Sequence, residues 1–169
     1  VREGRIEKKE FELGVPAGMT ALVFNTRRNV FKKPQVRQAL ITLFDAEWVN
    51  RTLFDGLFKR TQSFFERSYL SAHGKPPSAR ETELLAPFKA EVKDDILAGT
   101  FNFPTSNGSG QNRDNQRTAF TLLQSAGYAL SGGRLADKQT GEPLAFELLA
   151  HNNTPLALLN TYVRSLEPL

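Results

Sequence analysis

The sequence predicts an α/β fold, a mixed sheet with helices packed against it, and three observations carry that expectation. Apolar residues recur at helical spacing over 34–53, 112–127 and 154–166. Short apolar runs of strand type lie at 21–24, 128–136 and 144–148, set off by Gly, Asn and Pro. With 169 residues, 40% of them hydrophobic, and no internal repeat, residues 1–169 read as a single domain that buries a real core.

Residues 1 to 19 are mostly charged and end in Gly14, Val15, Pro16, Ala17 and Gly18, an entering segment with little core of its own. Ala21 to Phe24 suit a buried strand whose polar end, Asn25, Thr26 and Arg27, emerges at an edge or cleft. From Pro34 the period changes: Val36, Leu40, Leu43 and Phe44 share one stripe of a helix that also carries Arg37, with Pro34 in its first turn. Asp45 can cap a second helix bearing Trp48, Val49, Thr52 and Leu53, and Gly56 can close it in the left-handed conformation. Thr61 to Leu70 lack clean alternation and read as an exposed loop or irregular strand, running on to His73, Gly74, Lys75, Pro76 and Pro77. Ser78 can cap a short helix over Ala79 to Phe88, marked by Leu84, Leu85 and Phe88.

No regular element is expected over 89–111, which ends in Ser106, Asn107, Gly108, Ser109 and Gly110. Asn112 or Asp114 starts a third strong helix, with Ala119, Leu122, Leu123 and Ala126 on one face and Gly127 as its stop. Tyr128 to Leu130 and Arg134 to Ala136 flank Ser131, Gly132 and Gly133 as a hairpin, and after Gly141 and Pro143 the alternation of Leu144, Phe146 and Leu148 gives another strand. Thr154 then caps a last helix with Pro155 at its first position and Leu156, Leu159, Val163 and Leu166 inside.

Composition removes several classes of function. The net charge of +4, from 22 Lys and Arg against 18 Asp and Glu, falls short of the basic footprint of nucleic-acid binders. No stretch approaches the roughly 20 apolar residues of a membrane helix, and Val1 to Phe11 are charged where a signal peptide is apolar. Without Cys there is neither a disulfide framework nor a thiolate metal site, and His73 and His151 are too far apart in sequence to suggest a metal motif. The glycines at 108 and 110 match neither phosphate-loop pattern, no nucleophile elbow occurs, and adjacent acids such as Asp94 and Asp95 point apart. No catalytic residues, metal or cofactor are expected.

Two places remain as ligand candidates. Phe64, Phe65 and Tyr69, interleaved with Ser and Thr, have the apolar wall and sparse polar groups of a cleft, although ordinary loop packing explains them equally well. Asn25 stands where open sheets place ligands, at the end of a strand, and a turn-forming Asn is the alternative. Arg27 and Arg28 beside it can pair with a carboxylate or simply solvate the strand end.

The order of motifs resembles a known family. Phe24-Asn25-Thr26-Arg27-Arg28, then Phe31 and Val36-Arg37-Gln38-Ala39-Leu40, then Asp45 and Leu53-Phe54-Asp55-Gly56, are similar to the extracellular solute-binding proteins of family 5. The likeness continues through Arg60-Thr61-Gln62-Ser63-Phe64-Phe65 with Ser68, Gly108-Ser109-Gly110 with Arg113, Leu122-Leu123, Ala126-Gly127-Tyr128, and Gly141 with Phe146-Glu147-Leu148. It covers about Ala21 to Leu166 and is strongest toward the branch of murein- and microcin-linked peptide importers. Loops 71–78 and 89–111 do not align residue by residue.

The resemblance implies a monomeric, two-lobed periplasmic receptor that closes on an oligopeptide or related solute and delivers it to ABC permease membrane subunits, without covalent chemistry. Residues 1–169 would form much of its second lobe, part of a type II periplasmic-binding-protein-like fold, with 1–19 entering from the hinge side. The start at Val1 and the stop just after a helical pattern fit a piece of a longer chain. By position, Asn25, Thr61, Ser63, Phe64 and Phe65 would face the ligand cleft. Closure follows only as far as ligand binds the closed form more tightly than the open one. The competing expectation is a protein-protein interaction module whose exposed surface is the irregular segment 61–74.

Overall fold

Pro34 opens the first helix at a position where its missing N–H costs nothing, and α1 spans Pro34–Thr42. The computed structural model describes residues 7, 9, 11, 14–151, 155–167 and 169. Its remaining elements are α2 (Ala46–Leu53), α3 (Ala79–Leu85), α4 (Asp94–Leu97), α5 (Arg113–Ser125), β1 (Tyr128–Ser131), β2 (Arg134–Asp137) and α6 (Leu156–Leu166), with 3-10 turns at Asn29–Phe31 and Ala86–Phe88. The backbone gathers into two compact units, one of Val1–Ala21 with Thr61–Asn102, the other of Leu22–Arg60 with Phe103–Leu169.

The second unit holds the apolar core. α1 lies along α5, so that Val36, Ala39 and Leu40 bury against Ala119 and Leu123, with Phe31, Leu43, Ala126, Tyr128 and Leu135 closing the cluster. Phe31 stands between Phe24 and Phe146, each with its ring centroid 5.3 Å away. Asp45 caps α2 as its sequence suggests, its Oδ1 accepting from Trp48 N at 2.9 Å. α2 packs on α6, where Val49, Leu159 and Tyr162 are buried. Asn112 is the cap of α5, accepting from Asp114 N and Asn115 N at 3.2 Å.

β1 and β2 pair antiparallel, Tyr128 opposite Asp137 and Ser131 opposite Arg134, across a two-residue turn. Gly132 and Gly133 have φ of 58° and 79°, the two positive angles that a twist-matched hairpin turn demands. Lys33 fastens this hairpin to the helices: its Nζ donates to Ala126 O at 2.7 Å and to Asp137 Oδ2 at 3.2 Å.

The expected mixed sheet is corrected. Among the described residues the sheet has two strands, and the helices pack mainly on each other. Residues 21–24 and 144–148 are non-helical, and among the described residues no strand ladder joins them; Ala136 bridges to Pro143, continued by Leu144 N donating to Leu135 O at 2.8 Å. A strand needs a neighbour to receive its amides and carbonyls, and among the described residues none pairs with the segment of Val23, which is 89% exposed. The region 89–111 also differs, because α4 adds one turn with Asp94 and Asp95 placed favourably at its positive end. The predicted Thr154 cap lies outside the described residues, and Pro155 occupies the N-cap position of α6 rather than its first turn.

The first unit is built differently. Every apolar side chain that is fully buried among the described residues belongs to the second unit. In the first, Ser78 and Glu81 form a capping box around the start of α3, a helix with no buried residue. Gly99, at φ +69°, lies so close to the Lys75 carbonyl carbon that a Cβ there would sit 2.5 Å from it.

A candidate ligand-binding loop

Residues 61 to 73 form successive turns rather than a strand, and the reason lies in one side chain. Glu66 Oε2 accepts from Gln62 N at 2.9 Å and from Ser63 N at 3.1 Å, folding the chain back on itself. Its Oε1 is 3.7 Å from His73 Nδ1, and its main-chain oxygen accepts from Ala17 N at 2.8 Å. His73 Nε2 in turn lies 2.9 Å from Asn102 Oδ1. Charge-assisted bonds to two successive amides are stronger than neutral ones, so this half-buried carboxylate is the brace of the loop.

The candidates are distributed as follows. Thr61, Ser63, Phe64 and Phe65 share this loop, whereas Asn25 belongs to the other unit. The Ser63 hydroxyl donates to Phe64 O at 2.8 Å and accepts from Ala72 N at 3.1 Å. Phe64 and Phe65 are 70% and 55% exposed, and Tyr69 and Leu70 continue the apolar surface. Phe65 has φ of 57° and Arg67 of 65°, left-handed backbone that side chains rarely adopt. Asn25 is exposed and makes an Asx turn, its Oδ1 accepting from Arg27 N at 3.2 Å.

Sequence reasoning overlooked Glu66. The signal was available: Ser63-Phe64-Phe65-Glu66 has the spacing of a capping box, and the Glu makes the half of that box that reaches back to the Ser amide. No helix follows because Phe65 turns left-handed.

The second unit carries its own polar constructions. Asp45 Oδ1 also accepts from the Ser106 hydroxyl, Asp45 Oδ2 accepts from Gly110 N at 2.9 Å, and Glu47 accepts from Ser106 N at 3.0 Å. Arg51, in the last turn of α2, donates to Gly108 O, so the 106–110 loop is clamped along the helix from its cap to its last turn. Arg60 donates to Pro104 O at 2.6 Å and lies over the rings of Phe44 and Phe103. Burial pulls its guanidinium below the ordinary value, opposed by the field of Glu47. A cleft of about 540 Å³ opens between α2, the start of α5 and α6, with Trp48, Arg113 and Tyr162 among its walls. Among the described residues no three His, Asp or Glu side chains gather as a metal site. No helix among them is long and apolar enough to cross a membrane.

Residues 61–73 thus present exposed aromatic side chains on a backbone braced by Glu66. Residues 4–165 match the bacterial extracellular solute-binding proteins, family 5, middle region, and the chain belongs to this family of non-enzymatic binding proteins. Membership implies part of a type II periplasmic-binding-protein fold. All 169 residues align at 45% identity with a Brucella melitensis protein whose name calls it, provisionally, a binding protein. Agrobacterium fabrum has the peptidoglycan-binding protein YepA, 39% identical over 98% of this chain, and YejA, provisionally named as peptide-binding, 36% identical over 99%. The chain spans 27% of the length of each of these three relatives.

Proposed function

We propose that this chain is part of the second lobe of a monomeric periplasmic receptor, one that holds oligopeptides non-covalently in a cleft between two lobes and hands them to an ABC permease. The observation that carries the reading is the family match over residues 4–165. The names of two relatives, one peptidoglycan-binding and one provisionally peptide-binding, supply the ligand class. On this reading Asn25, Thr61, Ser63, Phe64 and Phe65 face the ligand. The braced loop supports it, because two exposed Phe rings provide contact area at low cost in side-chain entropy, and bridging waters let the polar remainder adapt to many sequences.

The competing reading, an interaction module without a small ligand, draws on the same exposed side chains and on Tyr69 and Leu70. Native mass spectrometry of the complete protein, purified from its periplasm, separates the two. Bound masses in a peptide series are expected. An empty spectrum that does not shift when a peptide mixture is added favours the module.

A further inference from the structure

Resting on that reading of the loop, we infer that Glu66 is its positioning residue and that Phe64 and Phe65 are its specificity-determining surface, which takes an apolar side chain of the bound peptide. The argument starts from which polar groups are already engaged. The amides of Gln62 and Ser63 both donate to Glu66 Oε2, at 2.9 and 3.1 Å, and so are not offered to a ligand. The Ser63 hydroxyl is engaged at both its donor and an acceptor site, with Phe64 O and Ala72 N. What the stretch turns outward is aromatic, 70% exposed at Phe64 and 55% at Phe65.

Such a display is unfavourable in isolation. It leaves two large apolar rings in water and holds Phe65 at a φ of 57°. The surroundings fix it nonetheless: Phe65 O accepts from the Ser68 hydroxyl at 2.7 Å and from Ser68 N at 3.2 Å, while Glu66 holds the residues before it. The groups facing Glu66 are His73, whose Nδ1 is 3.7 Å away, and the Ala17 amide on its main-chain oxygen. An exposed aromatic pair beside the engaged amides of Gln62 and Ser63 discriminates by apolar area more than by hydrogen bonds from those groups.

The test is competitive native mass spectrometry on the complete protein. The probes are an equimolar set of alanine tri-, tetra- and pentapeptides, each bearing one Phe or one Ser. The wild type is expected to hold the Phe-bearing members about tenfold in preference, and the double variant F64A/F65A to hold both kinds alike. E66M, of similar length but without an acceptor, is expected to lose the preference as well. E66Q, whose carbonyl oxygen still accepts both amides, should keep it within about threefold. Thermal melts of each variant, and the single exposed change F64A, keep the test valid if E66M folds poorly.

Bound peptides without a Phe preference, or a preference untouched by F64A/F65A, overturn the specificity assignment. A Phe preference that E66M leaves unchanged, in a variant whose melt matches the wild type, overturns the positioning role of Glu66. A wild type that holds no peptide overturns the proposed receptor function itself, a result distinct from the other two.

Discussion

Tyr162 is buried on α6, and its hydroxyl donates to Leu40 O at 2.9 Å, a carbonyl near the end of α1 where the helix runs out of its own donors. Burial raises the phenol above its ordinary value, an effect only partly offset by Arg60. A phenol whose folded value exceeds its unfolded one, about 10, contributes fully below that pH and loses the contribution as pH rises beyond it. Tyr162→Phe should therefore lower stability by roughly 1–2 kcal/mol at neutral pH and flatten the alkaline loss above about pH 10, as denaturant titrations at several pH values would report. Gly110 gives a second prediction at this scale. Its φ is +76°, and a Cβ would stand 2.9 Å from the indole nitrogen of Trp48. Gly110→Ala should cost roughly 1–2 kcal/mol from backbone strain alone and shift the emission of Trp48 as the ring gives way. Glu66 belongs here as well, since its role comes from a fold-back over three and four residues that composition reads as polar spacing.

Among the elements, those announced by local chemistry were legible. Asp45, Ser78 and Asn112 each cap the helix their positions suggest, and the Val36, Ala119 and Leu123 stripes fall on the buried faces. The Gly132-Gly133 turn likewise specifies its hairpin, because both residues must take positive φ. The runs 21–24 and 144–148 misled because apolar composition says that a segment wants burial, whereas strand pairing depends on chain far away in sequence. α3 exposes the balance most plainly, since it buries nothing and depends on its cap. The Ser78 hydrogen bonds hold the Glu81 carboxyl below its ordinary value, so that support is present above the unfolded carboxylate range and lost as pH falls through the folded value. Ser78→Ala should speed amide exchange at Arg80 to Thr82 roughly fivefold at neutral pH and by less in acid.

Across the whole molecule, the exposure of Phe64 and Phe65 agrees with the exposed loop read from the sequence, while the division of the chain into two units, with Asn25 in one and Thr61 to Phe65 in the other, has no signal there. That division follows from contacts between residues 22–60 and 103–169, which no local pattern records. The exposed apolar side chains at Leu22, Val23 and Leu149 lead to a prediction at this scale. In the complete protein, the amides of 21–24 and 144–148 should be protected from hydrogen exchange by strands from elsewhere in the sequence. Rapid exchange there, with α1 and α5 protected, would mean that these segments are loops in the native protein.

The concentration of buried apolar side chains in one unit also sets how each responds to temperature. Heat-capacity change on unfolding scales with the apolar surface exposed, so the α1–α5 body should have a curved stability profile that weakens in the cold as well as the heat. The unit bearing the braced loop, held by carboxylates, hydroxyls and amides, should open with little heat-capacity change. Its stability should then vary almost linearly with temperature, leaving the aromatic loop ordered in cold that begins to loosen the α1–α5 body.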